Sequence, residues 1–261
     1  MEKEMKLELE EKCAIVCAAS KGLGKAIAKA LIREGAKVLI CARDEKNLQK
    51  TAEEIGAKWL AVDMTKEKDR EKLAAEGLKI LGKIDILVNN SGGPPVGKFE
   101  SFTPQDWKDA FELNFLSFVH LTKLVLGGMK ERGWGRIINM ASYAALETVE
   151  GLILSHGIRP SVLTWTRALA REVAPFNIGV VAVCPGLFYT DRVKEIVKTR
   201  SQKEGRSAEE ILKEWTSQIP MGRMGNPEEL GDLVAFLSSP KASFITGSAI
   251  VIDGGIMKRL I

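Results

Sequence analysis

The stretch Cys13-Ala14-Ile15-Val16-Cys17-Ala18-Ala19-Ser20-Lys21-Gly22-Leu23-Gly24 decides how this chain is read. Its first five residues are continuously apolar, the mark of a strand buried on both faces, as in a parallel sheet. Small residues and glycines follow, and a helical apolar period then runs over Leu23–Glu34. In a strand, glycine turn, helix sequence the helix N-terminus presents free N–H groups and a partial positive charge to a phosphate, and the small residues let the phosphate approach the backbone. A Gly-x-Gly alone is a weak signal, and its place between a strand and a helix gives it weight. The alternative is a tight turn with no ligand.

The same alternation continues outward. Short apolar runs at Lys37–Cys41, Lys58–Val62, Ile84–Val88, Arg136–Met140, Gly179–Val183 and Ser248–Ile252 read as further strands. Helical periods fill Glu45–Ile55, Lys66–Leu81, Pro104–Lys130, a stretch before Pro175, and Pro227–Ser238. The expectation is an α/β fold: a doubly wound, parallel, seven-stranded sheet with helices on both faces. No linker or repeat divides residues 1–261, which read as one domain. Residues 191–217 carry no strand signal and are rich in Lys, Arg and Glu; they read as a solvated helical insertion or as a lid over a substrate pocket.

Composition excludes several classes. The chain has 261 residues, 38 Lys+Arg against 34 Asp+Glu, and 45% hydrophobic residues. These values lie near globular averages and far from disordered, collagenous or disulfide-scaffold chains. The net charge of +4 is scattered, so no nucleic-acid partner is expected. Two histidines and four unclustered cysteines (Cys13, Cys17, Cys41, Cys184) give no metal site; the cysteines read as buried hydrophobes. The first twelve residues lack the apolar core of a signal peptide. The most apolar long segment, Phe115–Met129, is interrupted by His120 and Lys123, so no membrane span is expected and the compartment reads as cytoplasmic.

The second strand ends in Cys41-Ala42-Arg43. An NAD site usually places an acid here to take hydrogen bonds from the ribose 2′-OH. Ala42 leaves that place empty, while Arg43 and Lys21 are two cations suited to a 2′-phosphate. This favours NADP(H) over NAD(H).

The chain resembles the short-chain dehydrogenase/reductase family, and within it the 3-oxoacyl-carrier-protein reductases. The resemblance rests on the glycine turn, on Asn89-Asn90-Ser91-Gly92, on Asn114 and on Arg136-Ile137-Ile138-Asn139-Met140-Ala141-Ser142. It continues through Cys184-Pro185-Gly186-Leu187-Phe188-Tyr189-Thr190, Ile219-Pro220-Met221-Gly222-Arg223, Phe244-Ile245-Thr246-Gly247 and Val251-Ile252-Asp253-Gly254-Gly255, and covers roughly residues 7–257. It implies a Rossmann-type fold, an oxidoreductase acting on a small carbonyl or alcohol substrate, and a homodimer or homotetramer. It also implies that Ser20, Lys21 and Leu23 line the phosphates together with Gly22 and Gly24. Asp63 and Met64 would flank the adenine, Asn90, Ser91 and Gly92 the adenosine side of the ribose bridge, and Pro185, Gly186 and Thr190 the nicotinamide amide. Ala18 stands where the family has its first glycine, and Cys17 where it has threonine.

The larger departure lies in the catalytic set. The family uses Asn, Ser, Tyr and Lys. Asn114 and Ser142 match, but Ser155 and Arg159 occupy the Tyr and Lys positions. A tyrosine near pKa 10 needs about three units of depression to act as a base near pH 7, roughly 4 kcal/mol. A serine hydroxyl, closer to water at about 15.7, needs roughly 11–12 kcal/mol. Arg159 relays no proton but holds a ribose or stabilises an oxyanion. Pro160 adds a geometric expectation: the helix kinks over His156–Pro160 or begins at Pro160, which would leave Ser155 and Arg159 on a loop. Among other proton donors, Tyr189 in the Pro-Gly loop is the best phenol, His156 reads as a satisfied or surface histidine, and Tyr143 is expected to point away from Ser142. Three readings follow: an oxidoreductase with an altered site, a dinucleotide-binding protein without hydride chemistry, or acid–base chemistry on an anion held by Arg159.

Overall fold

A computed structural model describes residues 6–258; the ends of the 1–261 unit lie outside the described residues. Strands β1 (Cys13–Cys17), β2 (Lys37–Ala42), β3 (Lys58–Ala61), β4 (Ile86–Asn89), β5 (Gly135–Met140), β6 (Ile178–Pro185) and β7 (Ala249–Ile252) form one sheet. All pairings are parallel and the order is β3-β2-β1-β4-β5-β6-β7. The order reverses between β1 and β4, so their carboxyl ends open a crevice there, the usual ligand site of a doubly wound sheet.

The pleat explains the continuous apolar runs. Ala14, Val16, Val38, Ile40, Val88 and Ile138 point to one face, under α1 (Gly22–Arg33), α2 (Glu45–Ile55) and α9 (Pro227–Leu237). Ile15, Cys17, Leu39, Cys41, Leu87 and Ile137 point to the other, under α3 (Glu67–Leu81), α5 (Ser117–Arg132) and α6 (Ile153–Val173). A strand covered on both sides has no solvent face to keep polar. All four cysteines are buried and free.

The structure departs from the sequence expectations in three places. The expected helix over Pro104–Lys130 is divided: α4 (Pro104–Phe111) passes through one π turn, Glu112–Leu116, into α5. This whole run, Pro104–Arg132, has the length and mean hydropathy of a membrane span, contrary to expectation, but Phe118, Leu121, Val125 and Met129 are buried in the protein core. The third departure is α6, which runs unbroken from Ile153 to Val173 with Pro160 inside it. Proline costs a helix interior about 3 kcal/mol. Leu154, Ile158 and Val162 are almost fully buried on one face of α6, and each contributes about 1.5–3 kcal/mol. Burial outweighs the lost hydrogen bond, and Ser155 and Arg159 sit one turn apart on a helix rather than on a loop.

Residues 191–217 form α7 (Asp191–Glu204) and α8 (Ala208–Thr216). Arg200 and Arg206 pair with Glu204 and Glu214 across them.

Candidate active site

The glycine turn is built around close backbone packing. A Cβ on Gly24 would lie 2.4 Å from the Ala18 carbonyl oxygen, so only glycine lets α1 seat on the turn. Ala18 itself has φ +50°, a left-handed conformation that costs a non-glycine residue about 1–2 kcal/mol. The Ala19 N–H donates to the Cys41 carbonyl at 3.1 Å and fixes the turn to the end of β2. Helix α1 has no side-chain cap at Lys21 and no acidic residue in its first turn. An N-terminus with four unpaired N–H groups and a positive dipole end is thus left open toward the crevice.

On the β2 and β3 side of the crevice, Arg43 follows β2 and Asp63 lies just beyond β3. Burial works to raise the Asp63 carboxyl, but the Thr65 N–H (3.1 Å), the Thr65 hydroxyl (2.8 Å) and the nearby Arg43 charge hold it below its usual value. Lys21 Nζ lies 3.4 Å from Glu195 of α7. The Met64 side chain is buried in the core and its carbonyl accepts from Arg70 at 2.6 Å, so Met64 offers the crevice backbone rather than side chain. Asn90 Nδ2 donates to the Cys17 carbonyl at 3.2 Å, strapping β4 to β1 across the crevice. The Cβ direction of Gly92 is open.

Ser91 donates to Asn114 Oδ1 at 3.1 Å, and Asn114 Nδ2 donates to the Ala110 carbonyl at 3.1 Å, one turn back across the π segment. Asn114 is fully buried, and these two bonds tie Ser91 to the π segment. Arg70, buried on α3, pairs with Glu112 at 2.6 Å and anchors the start of the π turn.

At the end of β5, Ser142 Oγ accepts the Ala144 N–H at 3.1 Å and keeps its own proton. Ser155 is largely buried within α6, one turn before Arg159, and its hydroxyl bonds to no other described side chain or backbone group. Arg159 is also buried, and its Nη1 donates to the Met140 carbonyl at 2.5 Å. Burial lowers its pKa to about 10. The Cys184 thiol, near Arg159 and hydrogen-bonded by the Ser142 backbone, is pushed up to about 11 by burial and is neutral near pH 7.

At the end of β6, Pro185 is buried and the Gly186 N–H donates to the Ile252 carbonyl at 2.9 Å. A side chain on Gly186 would strike Asp253. Thr190 lies beside Gly22, so this loop closes over the glycine turn. The structure thereby gathers the glycine turn, the β4 loop and the β6 loop at one end of the sheet.

The alternative proton donors are placed as follows. His156 Nδ1 lies 2.7 Å from the Ala144 carbonyl and its Nε2 takes the Val149 N–H at 2.8 Å. Its Nε2 also lies 2.9 Å from the Val149 carbonyl, and these contacts pin the 144–149 loop. Tyr143 is buried, and burial, with Glu147 and Asp253, raises its phenol. Tyr189 is exposed, with Lys194 Nζ 5.3 Å from its ring centre.

Sequence reasoning missed three features. Asn89 donates to Thr122 (3.0 Å) and to Asn139 (2.8 Å), and Asn139 donates to Thr166 (2.9 Å), a buried polar ladder joining β4, β5, α5 and α6 beneath the site. The one signal was a polar residue inside each apolar strand. Arg192, on the first turn of α7, reaches the Gly93 carbonyl at 3.4 Å. His120 meets Glu67 and Glu71 at the α3–α5 surface. Arg70 Nε donates to His120 Nδ1 at 3.1 Å, which leaves Nε2 as the protonated nitrogen facing Glu67 and accounts for the cluster without a metal.

Crevice, uncapped helix and strand order define a dinucleotide-binding α/β protein. The comparisons narrow the class. The family model described as enoyl-(acyl carrier protein) reductase matches residues 17–257. The 3-oxoacyl-[acyl-carrier-protein] reductase of Vibrio cholerae is 35% identical over 96% of this chain and 99% of its own. Dehydrogenase/reductase SDR family member 4 of Caenorhabditis elegans is 38% identical over 96% and 97%. The L-sorbose reductase of Gluconobacter frateurii, solved with NADPH and L-sorbose, superposes with TM-score 0.93 at 28% identity over 98% of this chain and 100% of that one. The chain belongs to the short-chain dehydrogenase/reductase family.

Proposed function

We propose that this protein is an NADP(H)-linked oxidoreductase that interconverts a carbonyl and an alcohol on a small substrate, with a proton supply different from the family's. One observation carries the reading: the N-terminus of α1 opens into the crevice with neither a side-chain cap nor an acidic residue, as a diphosphate requires. Lys21, Gly22, Leu23 and the close-packed Gly24 would hold that diphosphate, with Ala18 and Ser20 completing the turn. Arg43 and Lys21 would take the 2′-phosphate, in the absence of an acid at Ala42. Asp63 and Met64 would bound the adenine, Asn90, Ser91 and Gly92 the ribose side, and Pro185, Gly186 and Thr190 the nicotinamide amide. The bound NADPH of the Gluconobacter reductase supports the same preference here.

The nicotinamide, when bound, supplies or accepts the hydride. Ser142 has a free proton to donate to the substrate oxygen. Ser155 adds a second hydroxyl without a competing partner. Arg159, itself buried, stabilises negative charge developing on that oxygen. Neither serine is a Brønsted match for proton transfer near pH 7, so the proton comes from solvent. The relatives are named as enzymes, which supports turnover over a purely binding role. By the same resemblance the working form is a homodimer or homotetramer.

Thermal melting with NADPH, NADP+, NADH and NAD+ tests the reading. A ligand at about 100 times its Kd adds roughly 2.7 kcal/mol. Selective stabilisation by the phosphorylated pair, reduced in Lys21→Ala and Arg43→Ala, is expected. No shift with any of the four refutes it.

A further inference from the structure

We propose that Cys17 and Cys41 form a redox-active dithiol beneath the nucleotide turn, and that closing it to a disulfide withdraws the turn from its ligand. The disulfide stands on strand geometry; its effect on cofactor binding rests on the nucleotide reading above.

Cys17 ends β1, and Cys41 lies directly across from it on β2. The strands are parallel and both side chains point to the same face of the sheet, under α3 and α5. Neighbouring strands lie about 4.8 Å apart, within the Cα separation of about 4.4–6.8 Å that a disulfide spans. The other two cysteines have no cysteine across the ladder. Cys13 stands opposite Lys37, and Cys184 stands opposite Val251. Cys17 is also a departure, since the family's turn carries threonine at this position. Both thiols are fully buried, yet each is followed by a partly exposed residue at the crevice, Ala18 and Ala42. The neighbouring Cys41 side chain and burial hold the Cys17 thiol well above its usual pKa. The pair is therefore inert while the turn is seated and reacts as the turn opens locally.

The backbone of these same two residues holds the site together. The Cys17 carbonyl takes the Asn90 side chain at 3.2 Å, and the Cys41 carbonyl takes the Ala19 N–H at 3.1 Å. Ala18, between Cys17 and Ala19, is already in the left-handed region at φ +50°. A disulfide prefers Cβ atoms about 3.8 Å apart. Closing the bridge draws the ends of β1 and β2 together by about 1 Å, and Asn90 and the turn move with the carbonyls that hold them. A nucleotide that needs the turn as it stands opposes closure, and the bridge weakens the nucleotide by the same factor.

The oxidant is a hydroperoxide. One thiolate attacks the O–O bond of hydrogen peroxide, giving a sulfenic acid and a hydroxide that takes up a proton and leaves as water. The second thiolate attacks the sulfenic sulfur, the S–O bond breaks, and a second water leaves. Two thiols give up two electrons and two protons, and one peroxide takes them up as two waters.

The reduced full chain is treated with hydrogen peroxide, with and without NADP+, and stopped with catalase. Free thiols are alkylated in denaturant and counted by intact mass, and bridged tryptic peptides are mapped. Two thiols should be lost to one internal bridge joining the peptides 13–21 and 38–43, and saturating NADP+ should slow its formation at least threefold. Calorimetry should find NADP+ binding at least tenfold weaker in the bridged protein and restored by dithiothreitol. Cys17→Thr and Cys41→Ala should bind NADP+ as the reduced wild type does and keep that affinity after peroxide. The proposal is overturned by no bridge, by a bridge that persists in Cys17→Thr, by unchanged NADP+ affinity in the bridged protein, or by an equal loss of affinity in Cys17→Thr. If the reduced protein binds no NADP+, the nucleotide reading fails, and the mapped bridge still decides the dithiol.

Discussion

Replacing Arg159 by methionine should make the nucleotide-free protein more stable. Arg159 is buried and its pKa falls well below the ordinary arginine value, to about 10, chiefly through loss of hydration. At about 1.36 kcal/mol per unit, holding the charge inside the fold costs about 3 kcal/mol. Its hydrogen bond to the Met140 carbonyl returns about 1 kcal/mol. Methionine is flexible, apolar and long enough to fill the space. The net gain is about 2 kcal/mol, or roughly 4–8 °C in Tm at about 2–4 °C per kcal/mol for a chain of this size. The folded chain binds this proton less tightly than the unfolded chain, and both are protonated below about pH 10. The cost is therefore present in full, and constant, throughout neutral pH, and is relieved only as pH rises through 10 and beyond. Melting curves of both proteins without nucleotide, between pH 6 and 9, should differ by the same positive shift at every pH. An unchanged or lower Tm in Arg159→Met would show that the guanidinium is already compensated, and the reasoning about an uncompensated cation would fail.

Three further outcomes are expected. Gly24→Ala drives a methyl to within 2.4 Å of the Ala18 carbonyl, displaces the turn, and should weaken NADPH binding at least tenfold by calorimetry while far-UV circular dichroism stays native. Arg70→Met removes hydrogen bonds to the half-buried Glu112, to the Met64 carbonyl and to His120 and should lower stability by about 1–3 kcal/mol in urea unfolding, at about 0.5–1.5 kcal/mol per lost bond. Glu229 is held at about pKa 2 by the Arg223 fork, at 2.7 and 2.9 Å, and by the Asn226 N–H. Its folded pKa lies below its unfolded value of 4.5, so the stability it contributes is present above pH 4.5 and lost as pH falls toward 2. In Arg223→Ala an NMR titration should find the Glu229 midpoint moved back up toward 4.5.

Local chemistry made much of the fold legible. A strand such as Cys13–Cys17 announces its double burial by having no polar residue at either parity, and a glycine is needed at Gly24 because a Cβ there would lie 2.4 Å from the Ala18 carbonyl oxygen. The same rules set the extents of β1, α2 and β2 to within a residue. They failed at Pro160, where the cost of one residue was weighed without the three apolar side chains that hold α6 in the core. They also failed to show the π turn, because its cause is distant: Arg70 holding Glu112 and Ser91 holding Asn114.

The sequence by itself determined the order of strands and helices along the chain and the doubly wound parallel class, and it set the expectation that Ser155 and Arg159 stand where the family has Tyr and Lys. These depend on residue type and spacing along the chain. Only the tertiary structure decided that Ser155 and Arg159 share a helix face, that the Asn89–Asn139–Thr166 ladder underlies the site, and that the buried Arg159 guanidinium reaches the Met140 carbonyl. Those facts depend on which groups meet across β4, β5 and α6, and hydration, charge and hydrogen bonding act through space rather than along the chain.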